Sequence, residues 1–274
     1  GRLPKRLDPR VVVENATGAP GAPGVPEVAK AAPDGHTLVV TLGDSIINNV
    51  ALFKKLPYDP QRDLTMLTQA VYSPAIITAN TDLPVKSMDD FRKLAAQPGM
   101  KLSYGSWGIG GLGHIAGEAL SLRLNAHMVH VPQRGEALVM NDLLAKTVSV
   151  GLTSAGLAKQ HVLAGKVSPL AIMGRERPKS LPQVPTMREL GFDDPIFDAA
   201  VWIAFLGPAG MPGPTGQRLV AEIRAILAQP EVDAMIVERG LEVMSTTPEQ
   251  FQANYRTEFE VITRKMKDLG IEAQ

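Results

Sequence analysis

Short runs of strand-forming residues, several of them apolar on both faces, alternate with stretches of helical periodicity along most of the chain. That alternation is the pattern of an α/β fold and excludes an all-helical bundle or a simple β-sandwich. The strand candidates fall at 10–14, 37–42, 67–71, 75–79, 102–104, 128–131, 148–152, 170–173 and 201–206. Apolar character on both faces points to strands buried in a mostly parallel sheet.

Helices are expected where a cap precedes the periodicity: Ser87 before 88–96, Thr186 before 187–190, and Thr247 with Pro248 at the first helical position. From 249 to 269 the residues Phe251, Tyr255, Phe259, Ile262, Met266 and Leu269 recur at spacings of three and four, the stripe of a long amphipathic helix. The stretch 214–229 repeats the pattern, and 115–124 is helical. Gly and Pro crowd 18–26 and 207–216, which predicts a surface loop and a return linker between two units. The pairs Asp89-Asp90 and Asp193-Asp194 look like caps or turns.

With 274 residues, 45% of them hydrophobic, the chain can bury a sizeable core, and its length suggests two domains. Lys and Arg balance Asp and Glu at 28 each, so the electrostatic footprint of a nucleic-acid binder or a polybasic membrane surface is missing. The longest apolar run, 199–206, is far too short to span a bilayer, and no signal sequence is visible. The absence of cysteine removes disulfides, thiolate nucleophiles and the usual structural zinc sites.

The most unusual run is Tyr104-Gly105-Ser106-Trp107-Gly108-Ile109-Gly110-Gly111-Leu112-Gly113-His114, a glycine-dense turn between a strand and a helix. Such a turn presents backbone N–H groups at a helix N-terminus, where the dipole favours negative charge, and so forms an anion cradle. Ser106 adds a hydroxyl, Trp107 a flat wall and His114 a switchable donor. The bland alternative is a tight turn that needs small residues only for packing. Pro132-Gln133-Arg134-Gly135 and Leu42-Gly43-Asp44-Ser45 also follow strands, so three turns are candidates to share one crevice beyond the strand ends. Arg134 is either a bidentate carboxylate clamp or an ordinary turn arginine.

Gly108, Gly110 and Gly113 also satisfy the dinucleotide pattern G-x-G-x-x-G. The acidic residue that should hold a ribose after the next strand is replaced by Pro132-Gln133-Arg134, although Arg134 would suit a 2′-phosphate. A nucleotide-binding enzyme stays as the rival reading. Catalytic sets are poor: there is no nucleophile elbow, zincin motif or Walker A sequence, and His127 and His130 point to opposite faces of a probable strand. Cradling turns without a nucleophile, base or metal set describe a binder rather than an enzyme, with no cofactor.

The chain resembles the Bug-type extracytoplasmic solute receptors of tripartite tricarboxylate transporters. The matching residues run from Val11-Val12-Val13-Glu14-Asn15 through Ala32-Pro33-Asp34-Gly35-His36-Thr37-Leu38 and Lys55-Leu56-Pro57-Tyr58-Asp59-Pro60 to Leu102-Ser103-Tyr104-Gly105-Ser106. They continue with Gly113-His114, Val129-His130-Val131-Pro132, Val184-Pro185-Thr186, Trp202, Pro208-Ala209-Gly210 and Thr247-Pro248-Glu249-Gln250-Phe251. The resemblance implies a two-lobed periplasmic binding protein of type II-like form, with residues 1–99 and 207–274 in one lobe and 100–206 in the other. It also implies a monomeric receptor, without catalysis or membrane insertion, that closes on a small organic carboxylate and delivers it to the membrane components of a transporter; a receptor-like protein repurposed for sensing or protein contact is the further alternative. Such receptors usually begin with a strand and a Pro/Gly-rich turn, and 1–9 would hold only the end of the helix that follows.

Five residues in three turns depart from the pattern that the resemblance implies. Asp44 stands where Ser, Thr or Gly is more frequent, and a carboxylate there repels an anion unless it turns away or meets an ammonium or a hydroxyl. Gln133-Arg134 replaces a frequent Tyr-Lys, and Thr153-Ser154 replaces Asp-Asn. The candidate ligand-binding residues are therefore Asp44, Ser45, Ser106, Trp107, Gly108, Gly110, Gly111, His114, Gln133, Arg134, Gly135, Thr153, Ser154 and Trp202.

Overall fold

The computed structural model describes residues 11–16 and 24–271. The first elements are α1 (Gly24–Ala29), β1 (Val39–Leu42), α2 (Gly43–Ile46), α3 (Asn48–Leu52), α4 (Pro60–Asp63), β2 (Leu64–Ser73) and β3 (Ala75–Asn80). They are followed by α5 (Met88–Ala95), β4 (Ser103–Ser106), α6 (Leu112–Arg123), β5 (Val129–Pro132), α7 (Glu136–Leu144), β6 (Val150–Ser154), α8 (Ala155–Leu163) and β7 (Val167–Met173). A 3-10 turn (Pro195–Asp198) precedes β8 (Val201–Pro208), α9 (Gly213–Leu227), α10 (Pro230–Glu238), β9 (Glu242–Val243) and α11 (Pro248–Asp268).

The strands form two sheets, one in the order β1-β8-β2-β9 and one in the order β5-β4-β6-β3-β7. All pairs in the first are antiparallel; in the second, β4 runs parallel to β5 and β6 while β3 is antiparallel to β6 and β7. The expected mostly parallel sheet is therefore corrected. Burial on both faces reports cover, not strand direction. Leu67 and Ala70 of β2 lie against α9 through Leu219 and Ile223, while β3 alternates Ile76 and Ile77 into different clusters.

The chain leaves the first sheet at Pro74, whose ring removes a ladder donor between β2 and β3 and whose carbonyl accepts from Ala155 N at 2.8 Å. It returns just before Val201. A boundary after residue 99 does not match these sheets, since β3 pairs within the second; nor is 207–216 the return, because β8 already pairs from Val201.

Other local expectations need correction. Val12 and Val13 stand 69% and 80% exposed, and 11–14 pair with no strand among the described residues; Arg10 lies outside them. Residues 187–190 make turns, not a helix: Thr186 caps Glu189 N and Glu189 bonds back to Thr186 N at 2.7 Å, but Gly191 takes a positive φ and ends the run. Gly24 and Pro26 open α1, where a first-turn proline is tolerated; 18–23 lie outside the described residues.

The C-terminal helix forms as its signals require. Thr247 Oγ1 accepts from Gln250 N at 3.2 Å, and Gln250 Oε1 accepts from Thr247 N at 2.9 Å, a capping box that contributes about 1 kcal/mol. Its stripe of Phe251, Tyr255, Ile262 and Met266 is buried, and the Tyr255 hydroxyl donates to Ile46 O at 3.1 Å. That bond ties α11 to the short helices beyond β1.

Candidate ligand-binding cleft

The glycine-rich run forms the strand-to-helix turn that its composition predicts. Gly108 (φ +152°) and Gly110 (φ +72°) hold backbone conformations that side chains avoid. A Cβ on Gly110 would stand 2.3 Å from a Leu52 methyl, and Asn48 Nδ2 donates to Gly110 O at 2.9 Å. The loop from the second sheet thus rests directly on α3 of the first. Gly111 is the N-cap of α6, and no side chain caps that helix. The Trp107 ring folds back over this end: a Cβ on Gly113 would meet it at 2.9 Å, and one on Gly111 would meet its Nε1 at 3.2 Å.

Asp44, carried by α2, reaches the same spot. Its Oδ2 lies 3.6 Å from the place a Cβ on Gly111 would occupy, and the Trp107 side chain donates to it. Glu258 of α11 accepts from Trp202 Nε1 at 2.6 Å, and Gly43 presses on the Trp202 ring. Both carboxyls are closely surrounded by protein yet keep some accessible surface. Burial pushes Asp44 up to about 6 and Glu258 to about 8; the indole bonds oppose this, and the Asp44 charge raises Glu258 further.

Behind the loop lies a ring stack. His130 of β5 stacks on Tyr104 at 4.8 Å and on His114 at 4.0 Å. His114 Nδ1 accepts the Gly110 N–H at 2.9 Å, so its proton sits on Nε2, 4.0 Å from Glu118 Oε1. Tyr104 donates to Glu118 Oε1 at 2.6 Å, and burial together with Glu118 raises its phenol. Ser106 Oγ gives its proton to Gly108 O at 3.2 Å and accepts from His130 Nε2 at 2.8 Å. Burial lowers His114, with Glu118 opposing, and lowers His130 to about 4, with His114 adding to the effect. Both rings are therefore neutral at pH 7.

The three predicted turns converge only in part. Asp44, Trp107, Gly110 and Gly111 meet, with Gly108, Ser106 and His114 immediately behind. Ser45 adjoins Asp44, but its hydroxyl accepts from Thr41 at 3.0 Å and its carbonyl from Tyr58 at 2.5 Å. Gln133 turns to α7, donating to Asp142 Oδ2 at 2.6 Å, while its backbone N–H reaches Ser106 O at 2.8 Å. Arg134 is exposed and has no hydrogen bond or ion pair among the described residues. Gly135 (φ +117°) precedes α7; Ser154 caps α8 and donates its N–H to Glu136 Oε2 at 2.7 Å. Thr153 Oγ1 is buried without a partner at the end of β6, beside β4.

Trp202 is 2% exposed and edge-on to Phe251 at 5.3 Å, so its ring packs in the core. Sequence reading missed Glu258, Asn48 and His130. Only a helical projection of α11 could have flagged Glu258, which falls seven residues after the buried Phe251 on the same face. His127 and His130 do not share a strand: His127 takes a positive φ ahead of β5. Two surface cavities, of about 290 and 390 Å³, lie elsewhere, beside Pro60 and Tyr255 and beside Leu122 and Lys265. Among the described residues no group of three or more His, Asp or Glu could hold a metal ion, and no helix is long and apolar enough to cross a membrane.

Comparisons with known proteins bear on the family and the fold. The sequence model of the tripartite tricarboxylate transporter family receptor matches residues 2–269. The chain belongs to this receptor family. A relative from Pseudomonas sp. (strain P51), a UPF0065 protein in the tcbD-tcbE intergenic region, is 29% identical over 259 residues, covering 94% of this chain and 76% of its own. A solved periplasmic transporter superposes with TM-score 0.85 at 29% identity, covering 99% of this chain and 90% of its own. An R. palustris protein, Rpa4515, solved with adipate gives TM-score 0.84 at 25% identity over 98% of this chain and 89% of its own. MatC from Rhodopseudomonas palustris, with bound malate, gives 0.77 at 27% over 96% and 90%. The two-lobed periplasmic-binding-protein architecture of these receptors is the one that two sheets and two crossings build here.

Proposed function

We propose that the protein is a periplasmic receptor that captures a small organic carboxylate between its two sheets and delivers it to the membrane components of a tripartite tricarboxylate transporter. Among the described residues, one lobe comprises 24–74 together with 201–271, and the other comprises 75–200. The observation that carries this reading is the glycine loop: an uncapped twelve-residue helix, α6, aims its N-terminus at α2 and α3 of the opposite lobe. Related receptors with adipate and with malate supply the ligand class. In the ligand-bound form Gly108, Gly111 and the first turn of α6 donate to one carboxylate, and Thr153 supplies the hydroxyl that now lacks a partner. Ser106, His114 and Gly110 hold the loop in shape rather than touching the ligand, since the Ser106 hydroxyl bonds Gly108 O and His130 and the Gly110 N–H donates to His114 Nδ1. Arg134, unpaired at the rim, is the candidate for a second ligand charge.

A thermal-shift screen against carboxylates, amino acids and nucleotides tests the proposal. A ligand at about a hundredfold its Kd stabilises the native state by about 2.7 kcal/mol. Stabilisation by one or more carboxylates is expected. Stabilisation by nucleotides alone would overturn the receptor reading.

A further inference from the structure

We propose that Asp44 is a built-in competitor for the carboxylate site: in the ligand-free receptor its side chain occupies, together with Trp107, the place on the glycine loop that the ligand's carboxylate takes. This inference rests on the reading of that loop as the carboxylate site.

Asp44 belongs to the lobe of β1, whereas Gly111 and Trp107 belong to the lobe of β4. The Asp44 carboxylate nevertheless sits over the N-cap of α6, its Oδ2 3.6 Å from the Cβ position of Gly111. The indole Nε1 stands 3.2 Å from that same point and donates to the carboxylate. No acidic residue lies in the first turn of α6 itself, so the anion at this helix end comes from across the cleft.

Neighbouring contacts hold Asp44 there. Asn48 Nδ2 bonds Gly110 O at 2.9 Å, and Leu52 packs on Gly110. Gly43, immediately before Asp44, has its Cβ position only 2.7 Å from the Trp202 ring, which fixes the start of α2. The groups facing the carboxylate are the Trp107 indole from the loop and Glu258 from α11. At pH 7.5 Asp44 is largely ionised and Glu258 largely neutral, so Asp44 is the anion present.

A tethered carboxylate in this position acts at an effective concentration set by its attachment and reduces the apparent affinity for a free one to the fraction of receptor left open, the intrinsic Kd being divided by that fraction. The ligand must displace Asp44 and swing Trp107 aside. The same displacement breaks a bridge between the lobes, which couples binding to their relative movement.

The test is isothermal titration calorimetry at pH 7.5 with adipate, malate and the carboxylates that stabilise the protein in the thermal screen, for wild type, Asp44→Asn and Asp44→Ser. Asp44→Asn keeps the size and an acceptor for the indole while removing the charge, and Asp44→Ser empties the position; melting curves confirm that each is folded. Both variants are expected to bind a carboxylate about tenfold or more tighter than wild type. Unchanged affinity in both folded variants would overturn the proposal. So would weaker binding, which would make Asp44 a partner for an ammonium or hydroxyl of the ligand. If wild type and both variants bind none of these carboxylates, the carboxylate reading of the loop itself fails, and the competitor with it.

Discussion

Glu258 gives the sharpest physical test of how this cleft is built. Its carboxyl sits in the crevice with one indole donor, and its pKa is raised to about 8. A carboxyl raised in the folded state binds its proton longer than the unfolded chain does. Its contribution is therefore complete below the unfolded value, near 4.5, and is lost as pH rises through about 8. Between about pH 6.5 and 9 this corresponds to a loss of roughly 2 kcal/mol at face value, and about 1 kcal/mol after allowing for the solvent that reaches the crevice. The interval is chosen because His114 and His130, lowered in the fold, act in the opposite sense and only below about 6.5. Glu258→Gln keeps an acceptor for Trp202 Nε1 and removes the titration. Urea unfolding of both proteins at pH 6.5, 7.5 and 9 should show the wild type weakening relative to the variant as pH rises. A constant difference between the two across this range would refute the reasoning.

Further outcomes follow from single contacts. His130 should remain neutral down to about pH 4, which the chemical shifts of its ring nuclei will report; a midpoint near 6.5 would place the ring in solvent instead. Gly156→Ala should destabilise by about 1–3 kcal/mol in urea unfolding, because its Cβ would stand 2.5 Å from Arg239 O, where backbone must move. Asn48→Ala removes the bond to Gly110 O and leaves that carbonyl unpaired, for an expected cost of about 1–3 kcal/mol and faster amide exchange in the loop.

Much of the fold was legible because its signals are local. Ser87 and Thr247 cap helices where they were expected, with Pro248 at the first helical position, and the Tyr104 to His114 run makes the predicted strand-to-helix turn. Strand direction was not legible, since α9 and α11 cover an antiparallel sheet as fully as crossover helices cover a parallel one. The crossings at Pro74 and before Val201 were hidden for a related reason: β2 and β3 read as two adjacent apolar runs, and only pairing reveals that they part.

The site was half legible. Glycine density announced the loop, and the resemblance singled out Asp44 as a departure. Nothing local, however, tells that Asp44 meets Trp107 across the cleft, or that Glu258, 214 positions later in sequence, lies close enough to feel its charge. Gln133, Ser154 and Trp202 illustrate the converse. Each stands near the expected crevice, yet each spends its polar side-chain group on the scaffold: Asp142, the cap of α8 and Glu258.

The most direct test of the receptor account is an amide NMR titration of the protein with the carboxylate that stabilises it most. The largest shifts should fall on Gly108, Gly111 and Leu112 and across the cleft on Asp44 and Ser45, with the Trp107 indole N–H moving as it leaves Asp44. Shifts confined to another surface, such as the cavity beside Pro60 and Tyr255, with the glycine loop silent, would contradict it.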